Sequence, residues 1–342
     1  MNMWQMNCNF IYRGKKKREY IMTTTILERS ESLVENKQKI KKIFPMESGV
    51  VHLACAGVYA NKDAAVDEEK LLRCKMMLNS EVGFFSNFRS TARPIIISML
   101  ALNDDPEGLL ARALEVYSLL KEEFLSSIYL PLTAMVIAEN AEPERYPEIA
   151  KRTRGLYMQM KSEHPFLTSG EDSALCALMA LMDKTDSEMI QDSGECYRIL
   201  RKQFRTSNSV QGLSNVLALF DGTPEDKCER TITFFGKLMV AGFRYGVGYE
   251  LPTLGVLSMT GGDLDNLVTD VVIVHSWLSK QKGFRLFSGI PYKQCLMYAG
   301  MIVARDNIQT RLMQTAAVTG TLSMVVAQQT AVCAAAASSS SH

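Results

Sequence analysis

The 342-residue chain is 47% hydrophobic and 22% charged, an ordinary globular composition with ample material for a large core. A formal net charge of +1 excludes recruitment to nucleic acid or an anionic membrane by the field of the whole molecule. Eight cysteines (8, 55, 74, 176, 196, 228, 295 and 333) are scattered singly, with no CxxC and no His at metal-ligand spacing, so they read as reduced core residues of a cytosolic protein.

Residues 1–21 read MNMWQMNCNFIYRGKKKREYI and differ in character from the rest of the chain. They show no apolar periodicity, and they lack the long apolar core and small-residue cleavage site of a signal peptide. Met22-Thr-Thr-Thr-Ile-Leu-Glu opens the patterned chain, and codons for Lys17–Ile21 can spell a purine-rich ribosome-binding site just ahead of it. A translated leader, or a disordered one, is the expectation for 1–21. The competing reading of its Lys15–Arg18 cluster is a patch for nucleic acid or lipid.

From 22 to 307 the chain reads as a single helical-repeat domain. Phe44, Phe84, Phe124, Phe166, Phe204, Phe243 and Phe284 recur at intervals of 38 to 42 residues. Ahead of the middle rungs runs a second ladder, Tyr117, Tyr157 and Tyr197, continued by Gly236 and His275. Each unit predicts the same parts in the same order. An amphipathic first helix leads to the Phe, then to a short loop rich in Ser, Thr, Asn and Gly, then to a second helix apolar on nearly every side. Ile149, Thr153, Leu156, Tyr157 and Met160, with Lys151, Arg152, Arg154 and Lys161 off the stripe, show the first kind. The runs Pro94–Leu102, Leu130–Ala138, Ala174–Met182 and Leu251–Leu257 show the second; their length, Ala and Met content and helical neighbours favour buried helices over buried strands. Pro94, Pro131, Pro252 and Pro291 fall near the starts of second helices, where a missing N–H costs little. The links onward, Asp104–Glu107, Glu142–Glu144, Asp183–Asp186, Thr223–Asp226 and Gly261–Asp263, supply N-caps, first-turn prolines and early acids.

One such hairpin cannot bury its own apolar surface, so neighbours must stack. The expectation is an all-α protein of about seven stacked helix-hairpin repeats, an α-solenoid, with a closed α/α toroid as the alternative. No charged side chain follows Arg311. Residues 308–342 read as an Ala/Gln-rich C-terminal helix with a disordered Ser-rich end. The run 312–337 is long enough for a bilayer, but its Thr, Gln, Ser and Gly point to a helix that caps the last repeat or pairs with another copy.

Several ordered motifs carry a family likeness. Gly83-Phe-Phe-Ser-Asn-Phe-Arg89 leads to Leu102-Asn-Asp-Asp-Pro-Glu107, and His164-Pro-Phe-Leu-Thr-Ser169 precedes Glu171-Asp172. Then come Asn208-Ser-Val-Gln211 with Leu217-Ala-Leu219, Gly248-Tyr-Glu-Leu251, Gln281-Lys-Gly-Phe284 and the Ala/Gln-rich tail. With the length, and over nearly the whole chain from Met22, this resembles the bacterial family catalogued as domain of unknown function 4003, found mainly in bacilli and relatives. The resemblance implies a cytosolic bacterial protein and brings no activity, substrate or catalytic residue. Residues 1–21 depart from the family pattern, in keeping with a leader.

The loops between first and second helices should line one edge of the assembly, which with the adjoining inner surface is the candidate binding region. Arg89, His164, Ser169, Glu171, Asp172, Asn208, Gln211, Tyr249 and Glu250 are its candidate contacts, against the plainer reading that Ser, Asn and Thr there cap helices. His164 beside Glu171 and Asp172 has the residue types of a general base oriented by a carboxylate. His52 and His275 fall in apolar runs and read as core or interface histidines. Asp104-Asp105-Pro106-Glu107 resembles the aspartate-rich motif of terpene cyclases, but a proline at a helix start makes it a cap. Tyr245-Gly-Val-Gly-Tyr249 resembles part of a phosphate loop, but no strand precedes it. No metal site, cofactor, nucleic acid or membrane is expected. The functional expectation is a cytosolic binding or scaffold module for a peptide or protein, with possible self-association through the tail. The alternative is an α/α-toroid enzyme whose interhelix loops converge carboxylates at one mouth.

Overall fold

The computed structural model describes residues 22–284 and 290–305. Apart from short 3-10 turns, their regular structure comprises α1 (Thr24–Ile43), α2 (Gly49–Ala60), α3 (Glu68–Glu81), α4 (Arg93–Leu102), α5 (Pro106–Glu123), α6 (Leu130–Asn140) and α7 (Tyr146–Glu163). It continues with α8 (Ser173–Ala180), α9 (Asp186–Leu200), α10 (Ser207–Ala218), α11 (Pro224–Val240), α12 (Leu251–Ser258), α13 (Leu264–Leu278) and α14 (Tyr292–Ala304). No strand occurs among the described residues, so the chain is all-α as expected. The expected leader, 1–21, and the Ala/Gln-rich segment 308–342 lie outside them.

Local chemistry sets the boundaries. Thr23, Ser48, Asp67, Asp105, Thr185, Thr223 and Asp263 each accept backbone N–H groups of the helix turn they open. Asp105 of the aspartate pair is therefore a cap. Pro106 and Pro224 begin α5 and α11, and Pro94, Pro131 and Pro252 take the second position of α4, α6 and α12.

Consecutive helices pack in pairs, from α1 with α2 to α13 with α14. The second member is buried on nearly every side, as in α6 from Leu130 to Ala138 and in α8 throughout. The first member buries one stripe, which in α7 runs through Tyr146, Ile149, Thr153, Leu156, Tyr157 and Met160. First helices lie against first helices in the order α1, α3, α5, α7, α9, α11, α13, and α13 also lies against α1. The first and last pairs are thus neighbours. Arg29 of α1, only 4% exposed, donates to Asp63 at 2.7 Å and to the Ile302 carbonyl of α14 at 3.1 Å. Arg305 reaches back to the Asn61 carbonyl at 2.8 Å and to Asp63 at 2.7 Å. A Cβ on Gly57 of α2 would fall 2.7 Å from the Tyr298 ring of α14.

The phenylalanine ladder is only partly core. Phe44, Phe124, Phe204 and Phe284 are buried, whereas Phe84 and Phe166 stand in solvent. The inward place at the C-cap of the first helix is held by Phe44, Val82, Phe124 and His164. A two-residue slip in the second and fourth loops turns the Phe outward, and Phe88 fills the core of the second loop instead.

These positions form seams between neighbouring pairs. Phe88 meets Tyr117, Phe124 meets Tyr157, His164 meets Tyr197, Phe204 meets Phe235 and Phe243 meets His275, with ring centroids 4.3 to 5.4 Å apart. Phe235, rather than the expected Gly236, continues the second ladder. At the first junction Lys75 lies over Phe44 at 5.1 Å, and between the last and first pairs Lys37 lies over Phe284 at 5.2 Å. Lys37 also donates to the Gly283 carbonyl at 3.2 Å.

Cations on the first helices close the other end of the second helices. Arg152 of α7 donates to the carbonyls of Ala180 and Met182 and to Asp186, and Arg230 of α11 to the carbonyls of Ser258, Thr260 and Gly262. Lys70 of α3 serves the Asn103 carbonyl after α4. These are carbonyls that a helix end leaves unpaired, at the negative end of its dipole.

Candidate functional site

Pairing of the helices brings the loops 44–48, 82–92, 124–129, 164–172, 201–206 and 241–250 to one edge. Neighbouring loops touch along it. Asn87 Nδ2 donates to the Tyr117 hydroxyl at 3.0 Å and to Ser126 Oγ at 2.9 Å. Gly170 packs on Tyr129, and Gly212 in the middle of α10 packs on Pro252 at the start of α12. Between the fourth and fifth loops, Asn208 Nδ2 donates to Glu171 Oε1 at 2.8 Å and Gln211 Nε2 to Thr168 Oγ1 at 2.7 Å.

The expected contacts divide accordingly. Glu171 with Asn208, and Ser169 with Asp172, are brought together; the Ser169 N–H donates to Asp172 Oδ2 at 2.8 Å. Gln211 is buried, and its Oε1 has no partner. Arg89 folds back toward α3, donating to its Asn79 carbonyl and lying over Phe84 of its own loop at 5.9 Å. His164 ends α7 and stacks on Tyr197 at 4.3 Å; no hydrogen bond joins it to Glu171 or Asp172, so the base–carboxylate arrangement does not form. Tyr249 is exposed, and Glu250 is a buried residue at the start of α12.

Burial pushes the Asp172 carboxyl up to about 7; the Ser169 N–H opposes this and the Glu171 charge adds to it. That carboxyl is engaged in closing the turn before α8. Its partner Glu171 is engaged by Asn208. Among the described residues no three His, Cys, Asp or Glu side chains group as metal ligands. A thiol and an imidazole do approach each other through Ser279, whose Oγ lies 3.5 Å from His275 Nε2 and 3.9 Å from Cys295 Sγ. Burial pushes His275 down to about 4 and Cys295 up to about 11, with the Ser279 hydroxyl opposing the rise. Both shifts run against the thiolate–imidazolium pair that a cysteine nucleophile needs.

The most distinctive feature of the edge is apolar. Met46, Phe85, Leu125 and Phe166 are more than nine-tenths exposed, each at a loop tip, and Phe84, Val247, Tyr249 and Tyr292 are also exposed there. The other exposed large apolar residues, Leu72, Met76, Met158, Met239 and Val240, lie on first helices. Periodicity reads every Phe as core and so misses these tips. The doubled Phe84-Phe85, of which one register admits only one, was the available signal. The cation clamps were also missed, although Lys70, Arg152 and Arg230 each stand 13 or 14 residues before a ladder Phe.

Comparison with known proteins places the chain. The model of the family described as protein of unknown function (DUF4003) matches residues 36–331, so the chain belongs to that family. It is 20% identical over 310 residues to an uncharacterized protein YeaA of Bacillus subtilis (strain 168), covering 89% of this chain and 92% of that one. No solved structure matches. No helix among the described residues is long and apolar enough to cross a membrane.

Proposed function

We propose that this member of a family without an assigned activity is a protein-binding module: seven helix pairs closed as an α/α toroid, with the loop edge as docking surface. The row of exposed apolar tips carries the reading. Exposed apolar patches of that kind mark interaction sites, and here consecutive loops contribute Met46, Phe84, Phe85, Leu125 and Phe166. Closure is supported by Arg29 on Ile302, Lys37 on Phe284 and Gly57 against Tyr298, because an open solenoid keeps its terminal pairs apart. Single buried thiols at Cys55, Cys74, Cys176, Cys196, Cys228 and Cys295 support a cytosolic setting.

A protein is favoured over a bilayer because charges of both signs are set among the tips. Glu47 and Glu171 lie there with Arg89 and Arg244, whereas an anionic leaflet attracts polybasic segments. The enzyme alternative calls for carboxylates converging on a pocket. Of the loop acids Glu171, Asp172 and Glu250, the first two are instead engaged by Asn208 and Ser169.

Site-specific photo-crosslinking in the native cell tests the reading. A benzophenone side chain at 125 or 166 should give one discrete adduct with a protein, and the same probe at 76 or 158, on first helices, should not. Adding Phe85→Ser should suppress the adduct. Equal adducts from all four positions sink the proposal. So does binding to phosphatidylglycerol vesicles that Phe85→Ser abolishes, which would make the edge a membrane contact.

A further inference from the structure

We infer that the sixth loop holds a recognition site for a cationic nitrogen, the guanidinium or ammonium of a basic residue presented by the partner; this rests on the protein-binding reading of the edge. Its centre is Glu250. The residue is 8% exposed, yet its carboxylate makes no hydrogen bond or ion pair with any described residue. Its oxygens still touch solvent, so a donor arriving from outside can reach them, and carboxylates on a residue this far buried are ordinarily paired. As N-cap of α12, Glu250 could close on the first-turn N–H groups, but it makes no such bond. The dipole of α12 favours the charge without satisfying its oxygens.

The loop is built around that carboxylate. A Cβ on Gly246 would fall 2.0 Å from Glu250 Oε2, and one on Gly248 3.4 Å from it. The glycines of the Tyr245–Tyr249 turn therefore leave the space the carboxylate fills. Tyr245 is buried beneath, and its hydroxyl has no partner. Burial, with the Glu250 charge adding, pushes this phenol well above its ordinary value, so it stays neutral. Arg244 of the same loop is exposed and does not pair with Glu250. The carboxylate thus has no cationic partner within the chain, and a positively charged N–H donor would supply one. Tyr249 and Val247, exposed on the same turn, offer an aromatic face and an apolar wall to the stem of such a side chain.

The probes are N-acetyl-arginine amide, N-acetyl-lysine amide and the uncharged isostere N-acetyl-citrulline amide, titrated calorimetrically into the full chain at low ionic strength. The arginine or lysine probe should bind at least tenfold tighter than the citrulline probe. Glu250→Gln, which keeps the shape, should erase that preference with an unchanged unfolding midpoint. If Glu250→Gln perturbs the fold, Gly246→Ala, which intrudes on the carboxylate from the loop side, provides a second route to the same loss. Equal binding of the three probes, or a cation preference that survives both variants, overturns the inference. Edge adducts without a cation preference overturn this inference alone, and a Glu250-dependent preference without edge adducts overturns the protein-binding reading alone.

Discussion

Gly57→Ala gives a change of sign, depending on whether the first and last helix pairs meet in solution. Gly57 lies in the interior of α2, where alanine is favoured by about 0.5–1 kcal/mol on helix propensity. Its new Cβ would fall 2.7 Å from Tyr298 Cε1 and 3.4 Å from Cδ1, and the Tyr298 side chain is 1% exposed. A buried ring cannot swing clear without disturbing its neighbours, and overpacking of this kind costs about 1–3 kcal/mol. The net expectation is a loss of roughly 0.5–2 kcal/mol from these two opposed terms. Gly236→Ala in α11, with nothing within 4 Å of the new Cβ, is the control and should stabilise. Urea unfolding, followed by far-UV circular dichroism, measures both. Tyr298→Leu should relieve part of the Gly57→Ala cost, giving a coupling that a double-mutant cycle reads directly. If Gly57→Ala stabilises as Gly236→Ala does, and no coupling to position 298 appears, the terminal pairs are apart and the toroid is wrong.

Three further outcomes rest on neighbouring contacts. Phe204→Ala should cost about 3–5 kcal/mol and Phe166→Ala less than about 0.5 kcal/mol, because the first is core and the second fully exposed; equal costs in urea unfolding would show that the ladder is uniform after all. Arg152→Met removes charged donors from the carbonyls of Ala180 and Met182 and should cost about 2–4 kcal/mol, against about 0.5 kcal/mol or less for Arg145→Met, which breaks only a 3.8 Å surface pair with Glu148. Asp172 has a folded pKa of about 7, above the ordinary 3.8, so folding takes up a proton between these values and stability falls as pH rises through that window. Asp172→Asn should flatten that fall and stabilise by about 1–2 kcal/mol at pH 8, a figure reduced for the partial exposure of the side chain; a wild-type profile already flat between pH 4 and 7 would refute it.

The helix pairs were legible because three local signals coincide. Apolar period, N-caps such as Thr223 and Asp263, and early prolines such as Pro106 all mark the same boundaries. Facing is harder to read, because a two-residue slip in a loop rotates a side chain from core to solvent without altering the period. Val82 and His164 hold the inward place while Phe84 and Phe166 point away. The contacts between terminal pairs leave no sequence pattern at all: Lys37 and Gly283 are 246 residues apart, and neither has a residue type that announces the other. Of the candidate site, the polar loop residues were visible as a class. Their pairing was not: Glu171 is engaged by Asn208, Asp172 by its own turn, and Glu250 by nothing.

The contact between terminal pairs also separates two roles that the sequence left entangled. The tail reads as a helix that caps the last repeat or pairs with another copy, and capping would answer the apolar face that a stacked array exposes at its end. That face of α13 and α14 is taken by α1, so the cap is already supplied from the other terminus. Arg305 fixes the end of α14 beside Asn61 and Asp63, where second helices finish, and the loop edge lies where they begin. Arg305, the last described residue, thus lies at the edge opposite the apolar tips. Self-association through the tail and protein binding through the loops are therefore independent proposals. Ending the chain at Asn307 should change at most the mass in light scattering and leave the adduct at 166 intact. A truncation that abolished the adduct while the fold held would tie the two edges together and remove the loop edge as a self-sufficient docking surface.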